Sequence, residues 1–264
     1  MGKKFNVSQL IIFLDEKIPF SWSEEWDNSG LQVGFLGEEV HGILISLNPT
    51  LKTIEQCVEG GFNVLITHHP LLFSPIKQID DEHWPGSFIT GAIENRLSVI
   101  ALHTNFDKAP FGISVNLAKE LDLPISGPVL SGGEWGLGVW GDFPYSIPVS
   151  EIADKISRAF SLPVRVVDPD ARVKNYALCG GSCSSLISEV RKMNIDLFIT
   201  SDVKYHDMID NFLLGLNIIS VDHSIEKWGF MHLKELLTGW LSEKEIDVKV
   251  EVVDTDILIK WINF

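Results

Sequence analysis

The stretch "HGILISLNPTLKTIEQCVEGGFNVLIT" (41–67) opens on an apolar run and breaks at Asn48 and Pro49. It resumes at helical spacing over 53–59, halts at Gly60 and Gly61, and closes on a second apolar run, "FNVLIT" (62–67). An apolar run, a turn, a periodic segment and a Gly-Gly stop read as strand, helix and strand, which is a βαβ unit. Residues 176–200, "YALCGGSCSSLISEVRKMNIDLFIT", repeat the layout, and aligning Thr67 with Thr200 sets Leu47 opposite Gly180 without a gap. Farther along each copy, "LSVIALHTNFDKA" (97–109) resembles "LNIISVDHSIEKW" (216–228), an apolar strand ending in histidine-bearing polar residues. Two apolar strands can match by chance, but the shared order of βαβ, helical spacer and third strand favours an internal duplication.

The fold class expected is therefore α/β, with two duplicated lobes. Between the copies, "LPISGPVLSGGEWGLGVWGDFP" (123–144) is rich in Gly and Pro, carries short alternating strands and opens the second lobe. The tail, "HLKELLTGWLSEKEIDVKVEVVDTD" (232–256), reads as a helix followed by an edge strand over 248–253. The division expected is a first lobe over 1–125, completed by 225–264, and a second over 126–224.

Bulk properties narrow the function. The chain has 264 residues, enough for a large single domain or two smaller ones. It is 45% hydrophobic and 22% charged, with no apolar run of the roughly 18 residues a membrane span needs. The N-terminal "MGKKFNVSQLIIFLDEKIPF" (1–20) is interrupted by Asp15 and Glu16 and reads as a first helix, not a signal peptide. A net charge of −15 argues against nucleic-acid or anionic-membrane partners, which require clustered Lys and Arg. Three cysteines (Cys57, Cys179, Cys183) do not make a disulfide framework, and the odd count suits a reducing cytoplasm.

Parallel βαβ units bind ligands at the carboxyl ends of their strands. There the sequence places "ITHHP" (66–70), "LHTNFD" (102–107), "ITSDVKYH" (199–206) and "VDHSIE" (221–226). Adjacent side chains on an extended strand point to opposite sides, so His68 and His69 can face one site only from an irregular loop, which Pro70 favours. A lone histidine is more often structural. A His-His pair at the carboxyl end of a strand, with further histidine and carboxylate clusters at the other strand ends, points instead to metal: Asp107 adds a hard oxygen donor, and His103 lies nearer its strand. His223 and Glu226, three apart, share a face if a helix starts there. Three imidazoles with two carboxylates suit zinc, iron, manganese or nickel better than calcium. Five such donors serve two ions if one carboxylate bridges. Against this, Asp107 or Glu226 can simply cap a helix. Asp202, His206, His103 and Asp27 are the candidates to line the cleft, with Asp202 or His206 to move protons, although "DVKYHD" also fits a polar first helical turn and Asp27 a turn cap. Trp228, beside Glu226, is a candidate for stacking on a base, and Cys179 and Cys183 are weak soft-metal donors. No Gly-x4-Gly-Lys-Ser/Thr phosphate loop occurs, which leaves Lys204 and Arg165 to meet a triphosphate.

"WDNSGLQVG" (26–34), "THHPLLF" (67–73), "HTNFD" (103–107), "CGGSC" (179–183), "ITSDVKYH" (199–206) and "DHSIEKWGF" (222–230) together resemble the Nif-three-like proteins. Members of that family carry the name GTP cyclohydrolase 1 type 2 homolog. The resemblance spans nearly the whole chain and matches the short form, without a large inserted domain. It implies two intertwined, duplicated α/β lobes, a dinuclear metal site in the cleft between them, and a toroidal homohexamer. By that resemblance the metal ligands are His68, His69, Asp107, His223 and Glu226, with Glu226 bridging. The sequence departs from the family pattern in three places. His223 and Glu226 are three apart instead of four, which leaves open whether Asp222 or His223 is the ligand. Cys183 ends a loop that is Gly-Gly-Ser-Gly in the family, and Thr200-Ser201-Asp202 stands for Thr-Gly-Glu. Two functional readings follow: a metal-dependent hydrolase acting on a nucleotide or another phosphate-containing small molecule, or a non-catalytic metal carrier or partner-binding hexameric scaffold.

Overall fold

A computed structural model describes residues 5–132 and 134–253. The chain divides into two compact units: one runs to Phe106 and resumes at Met231, and the other is Asp107–Phe230.

In the first unit, α1 (Val7–Lys17) starts where the side chains of Asn6 and Gln9 each accept the other's backbone N–H, at 2.9 and 3.0 Å, and it buries Val7, Leu10, Phe13 and Leu14. β1 (Gly30–Val33) and β2 (Gly42–Ser46) follow. α2 (Leu51–Gly60) has a second reciprocal cap between Thr50 and Thr53, at 3.0 and 3.2 Å. It ends on Gly61 at φ 71°, with the Phe62 N–H donating back to the Cys57 carbonyl at 2.8 Å. That closure takes Phe62 out of the expected strand, while Asn63 still donates its N–H to the Gly42 carbonyl at 3.3 Å and accepts the Ser98 N–H at 3.0 Å just before the strand proper. β3 accordingly covers only Val64–Thr67. α3 (Gly86–Glu94), β4 (Ser98–Ala101) and the short α4 (Thr104–Asp107) complete this part of the chain.

In the second unit come α5 (Ile113–Glu120), a hairpin of β5 (Leu130–Gly132) and β6 (Trp135–Leu137), β7 (Val139–Pro148), α6 (Val149–Phe160) and β8 (Val164–Arg165). The second copy of the repeat follows as β9 (Arg172–Leu178), α7 (Ile187–Lys192), β10 (Leu197–Ser201), α8 (Tyr205–Leu213), β11 (Asn217–Val221) and α9 (Glu226–Met231). The sheet order is β7-β9-β10-β11-β8, with β9, β10 and β11 parallel and both edges antiparallel. At Gly141 in β7 a Cβ would lie 1.8 Å from the Pro124 carbonyl oxygen, so the close approach of that segment requires glycine. The same carbonyl accepts the Tyr176 hydroxyl at 2.8 Å.

The chain then returns to the first unit as α10 (Leu233–Glu243) and β12 (Lys249–Val252), the expected helix and edge strand. The first sheet reads β1-β4-β3-β2-β12. Every residue of β2, β3 and β4 is buried, as expected of parallel strands covered on both faces, and so the sequence reads as continuous apolar runs. Three consecutive parallel strands linked by helices thus occur in each unit, and the α/β duplication expected from the repeat is present. Among the described residues no helix is long and apolar enough to cross a membrane.

Phe88 of α3 is fully buried in a cluster with Leu44, Leu65, Leu71 and Val99. Phe88→Ala is expected to cost about 3–5 kcal/mol, read as a lowered midpoint in urea denaturation.

Candidate metal centre

In the first unit, strand register determines which side chains emerge together. Ser46 pairs with Thr67, and Thr67 with Ala101. Asn48, His69 and His103 each stand two residues beyond that aligned row. The chain bends after Thr67, with the His68 and His69 N–H groups donating to the carbonyls of Ser46 and Leu47 at 3.2 and 3.0 Å. The bend turns both imidazoles the same way. Ring centroids lie 5.0 Å apart for His68–His69, 5.0 Å for His68–His103 and 5.9 Å for His69–His103. One nitrogen of each falls within 4.8 Å of the others, a grouping able to hold a metal ion.

Each ring is oriented through Nδ1. His68 meets the Leu102 carbonyl at 2.9 Å, His69 the Asn48 Oδ1 at 2.7 Å, and His103 the Asp27 Oδ1 at 2.7 Å. A carbonyl or carboxylate facing Nδ1 places the proton there and makes Nε2 the basic nitrogen, the arrangement that metal-binding histidines use. Asp27 is the most heavily engaged partner. Its side chain is fully buried and also accepts from the Asn28 N–H, the Ser29 hydroxyl and the N–H and hydroxyl of Thr104. Burial works to raise its pKa, but the hydrogen bonds from His103, Thr104 and Ser29 outweigh it and hold the carboxyl well below the usual carboxylate range. Asp27 is therefore an ionised anchor for His103. Asp107 ends α4, one helical turn beyond His103, and is half-buried.

In the second unit, Ser201 pairs with Val221, and just beyond that pair Asp202 and His223, one and two residues on, meet through their side chains. The His223 Nδ1 meets Asp202 Oδ2, and its Nε2 lies 3.0 Å from Glu226 Oε2. A short 3₁₀ turn, His223–Ile225, leads into α9 and brings the i, i+3 pair together despite its shortened spacing. Asp222 caps that turn, its Oδ1 accepting the Ser224 N–H at 2.9 Å, while His223 is the residue facing Glu226. Burial pushes the His223 imidazole down, but the two carboxylates beside it prevail and raise its pKa to about 10. Glu226 is buried against Gly181, which sits at φ 77°, and a Cβ there would lie 2.0 Å from Glu226 Oε1. The Gly181 carbonyl accepts the Ser201 N–H and the Thr200 hydroxyl, both at 2.9 Å, which pins the loop.

The expectation for the cysteines changes here. Cys179 and Cys183 are joined as a disulfide, with their Cα atoms 6.1 Å apart, instead of being free thiols or soft-metal donors. The tight Gly180-Gly181 turn brings the two ends of the loop within bridging range. Cys183 itself has φ −105°, so replacing the family's glycine imposes no strain, and Gly181 is the left-handed residue of the loop. Trp228 packs on Phe160 at 5.4 Å between centroids. The Arg165 guanidinium donates to the Val203 carbonyl at 2.8 Å and the Ser220 hydroxyl at 3.0 Å. His206 is exposed in the first turn of α8, edge-on to Tyr205.

The sequence did not flag Asn48 as a histidine partner. Its only signal was position, two residues past the third aligned strand. Nor did it show that His103 belongs with the His-His pair, which depends on register.

A profile of the Duf34/NIF3 (NGG1p interacting factor 3) family matches residues 5–257. A GTP cyclohydrolase 1 type 2 homolog from Streptomyces coelicolor is 29% identical over 260 residues, covering 94% of this chain and 91% of its own. The protein of the same name from Staphylococcus aureus is 24% identical over 360 aligned positions, covering 95% of this chain and 98% of its own. That alignment is longer than this chain, so the staphylococcal relative carries additional sequence. Among solved structures, a Staphylococcus aureus hypothetical protein superposes with a TM-score of 0.93 at 27% identity, covering 98% of this chain and 100% of that one. Reduced HcgD from Methanocaldococcus jannaschii superposes at 0.77 with 26% identity, covering 96% and 99%.

Asp27→Ala strands His103 and four other donors, and should lower stability by about 3–5 kcal/mol. Asp27→Asn, which keeps one acceptor oxygen, should lose less. Denaturant midpoints of the two variants check both.

Proposed function

Because the chain belongs to the Duf34/NIF3 family, we propose that it is a metal-dependent hydrolase holding two divalent ions per chain and acting on a nucleotide or another phosphate-containing small molecule. His68, His69, Asp107, His223 and Glu226 are its ligands in this reading, with Glu226 bridging. The observation that supports it is the grouping of His68, His69 and His103, in which every Nδ1 faces an oxygen, an orientation that favours Nε2 as donor to a cation. The donor set fits a borderline ion such as zinc, iron, manganese or nickel. In the second unit, an imidazole nitrogen and a carboxylate oxygen 3.0 Å apart, with Asp202 behind the ring, repeat the carboxylate–histidine orientation.

Such ions, when bound, supply a Lewis acid and an activated water. The protein's own groups orient the imidazoles: Asp27 holds the proton on His103 Nδ1, beside the ligands His68 and His69, and Asp202 orients His223. His206 is exposed and is the remaining candidate for proton transfer to a leaving group. With Arg165 engaged by its own unit and the chain at −15, a nucleobase or a monoester suits the site better than a triphosphate.

One observation favours the carrier reading. Two of the carboxylates that might have served as free acid or base, Asp27 and Asp202, are both tied to imidazoles. The homohexamer implied by the resemblance and the cytoplasmic location read from the odd cysteine count belong to the same proposal. The Cys179–Cys183 disulfide weighs against that location, because a reducing compartment disfavours disulfides.

Elemental analysis of protein purified without an affinity tag should give about two metals per chain, falling sharply in His69→Ala. Gly181→Ala, whose methyl would displace the Glu226 carboxylate, should lose part of the metal while folding. Hydrolysis of nucleotides and phosphate esters by the loaded protein separates enzyme from carrier. Metal well below one per chain, unaffected by His69→Ala and not restored on addition, would falsify the metal-centre proposal.

A further inference from the structure

Two large aromatic side chains beside the histidine cluster are left in solvent. Trp26 is 59% exposed and Phe73 56% exposed. Their rings lie 5.8 Å apart, tilted at 54°, and both stand edge-on to His103, at 6.0 and 6.3 Å. Isolated exposed hydrophobics are ordinary, but a pair converging on one candidate ligand is not a scattered feature.

Both rings are carried on fixed backbone. Trp26 immediately precedes Asp27, whose buried carboxylate ties this loop to His103 and Thr104. Phe73 immediately follows Leu72, whose carbonyl accepts the Asn28 Nδ2 at 2.7 Å and whose N–H donates to Gln32 Oε1 at 3.1 Å. Gln32 in turn donates to the Asn28 carbonyl at 2.7 Å. Leu71 and Leu72 root the second loop in the core of the unit. The hydrogen bonding therefore clamps the 26–32 and 70–73 loops together and holds two aromatic faces out of the core at a set distance from a metal-capable histidine. A side chain recruited for stability would be turned inward, as Trp228 is against Phe160.

We infer that Trp26 and Phe73 form a stacking subsite for a planar heteroaromatic ring, such as a nucleobase, which they present to His103. This deepens the proposed function by naming the substrate class and rests on that reading for the chemistry that follows binding. Aromatic faces bind any base by its π surface and are sequence-tolerant, so the subsite selects for a ring rather than for a phosphate. The choice agrees with a chain of net charge −15 and without a phosphate loop.

The test is isothermal titration of the metal-loaded protein with guanosine 5′-monophosphate and with ribose 5-phosphate, which has the same phosphate and no ring. Metal content and oligomeric mass are measured on every variant. Guanosine monophosphate should bind and ribose 5-phosphate should not. Trp26→Ala and Phe73→Ala should weaken the nucleotide by about 5- to 150-fold, the range that stacking of one base corresponds to. Trp26→Phe should retain most of the affinity. Because both rings are exposed, the alanine variants should fold. The inference is overturned if the two probes bind alike, if neither binds, or if the alanine variants bind the nucleotide as well as the unsubstituted protein. It is also overturned if those variants change only the oligomeric mass, which would make the pair a contact between copies. Loss of ring binding with metal content unchanged supports the subsite. Absence of metal sinks the hydrolase reading separately, whichever way the ring binds.

Discussion

The alignment of Ser46, Thr67 and Ala101 across three parallel strands is the constraint on which the first unit's chemistry depends. Parallel pairing fixes the axial offset of neighbouring strands through evenly spaced hydrogen bonds. Once Thr67 lies between Ser46 and Ala101, the residues two steps beyond are an amide and two imidazoles at adjoining positions. A slip of one residue would exchange the two buried faces of a strand and set side chains of different size and shape against each packed layer. With β2, β3 and β4 buried throughout, that cost is high, and the register is fixed by the same apolar packing that holds the unit together.

Around the imidazoles, the supporting groups carry as much of the design as the donors. A backbone carbonyl, an amide oxygen and a buried carboxylate each face one Nδ1, and together they set ring orientation and tautomer. The Asp27 carboxylate is stable in the buried, ionised form because its hydrogen bonds outweigh its desolvation. It also joins the loop that carries Trp26 to the start of α4. One buried side chain thus fixes a candidate ligand and an exposed aromatic ring, which makes the 26–32 loop part of the site.

The two copies of the repeat have diverged in donor chemistry while keeping their parallel cores. The first presents three imidazoles, and the second presents one imidazole between two carboxylates. The first is suited to a cation by nitrogen donors and the second by charge. In the second copy, Gly181 in the left-handed region lets the backbone lie against Glu226, a position that any side chain would obstruct. The Cys179–Cys183 pair closes the same loop.

Much of this was legible without coordinates. Continuous apolar runs, Gly-Gly and Asn-Pro punctuation and the 41–67/176–200 repeat determined the α/β class, because strands buried on both faces and helix caps have local signatures. The polar clusters at the strand ends were visible for the same reason, since βαβ order dictates where the carboxyl ends of strands lie. Tertiary structure alone decided which clusters meet. That His103 joins His68 and His69, that Asn48 and Asp27 serve as their partners, and that Trp26 and Phe73 converge while Trp228 turns inward all depend on pairing between segments far apart in sequence. Such contacts are fixed by register and packing, and no local pattern of residues encodes them.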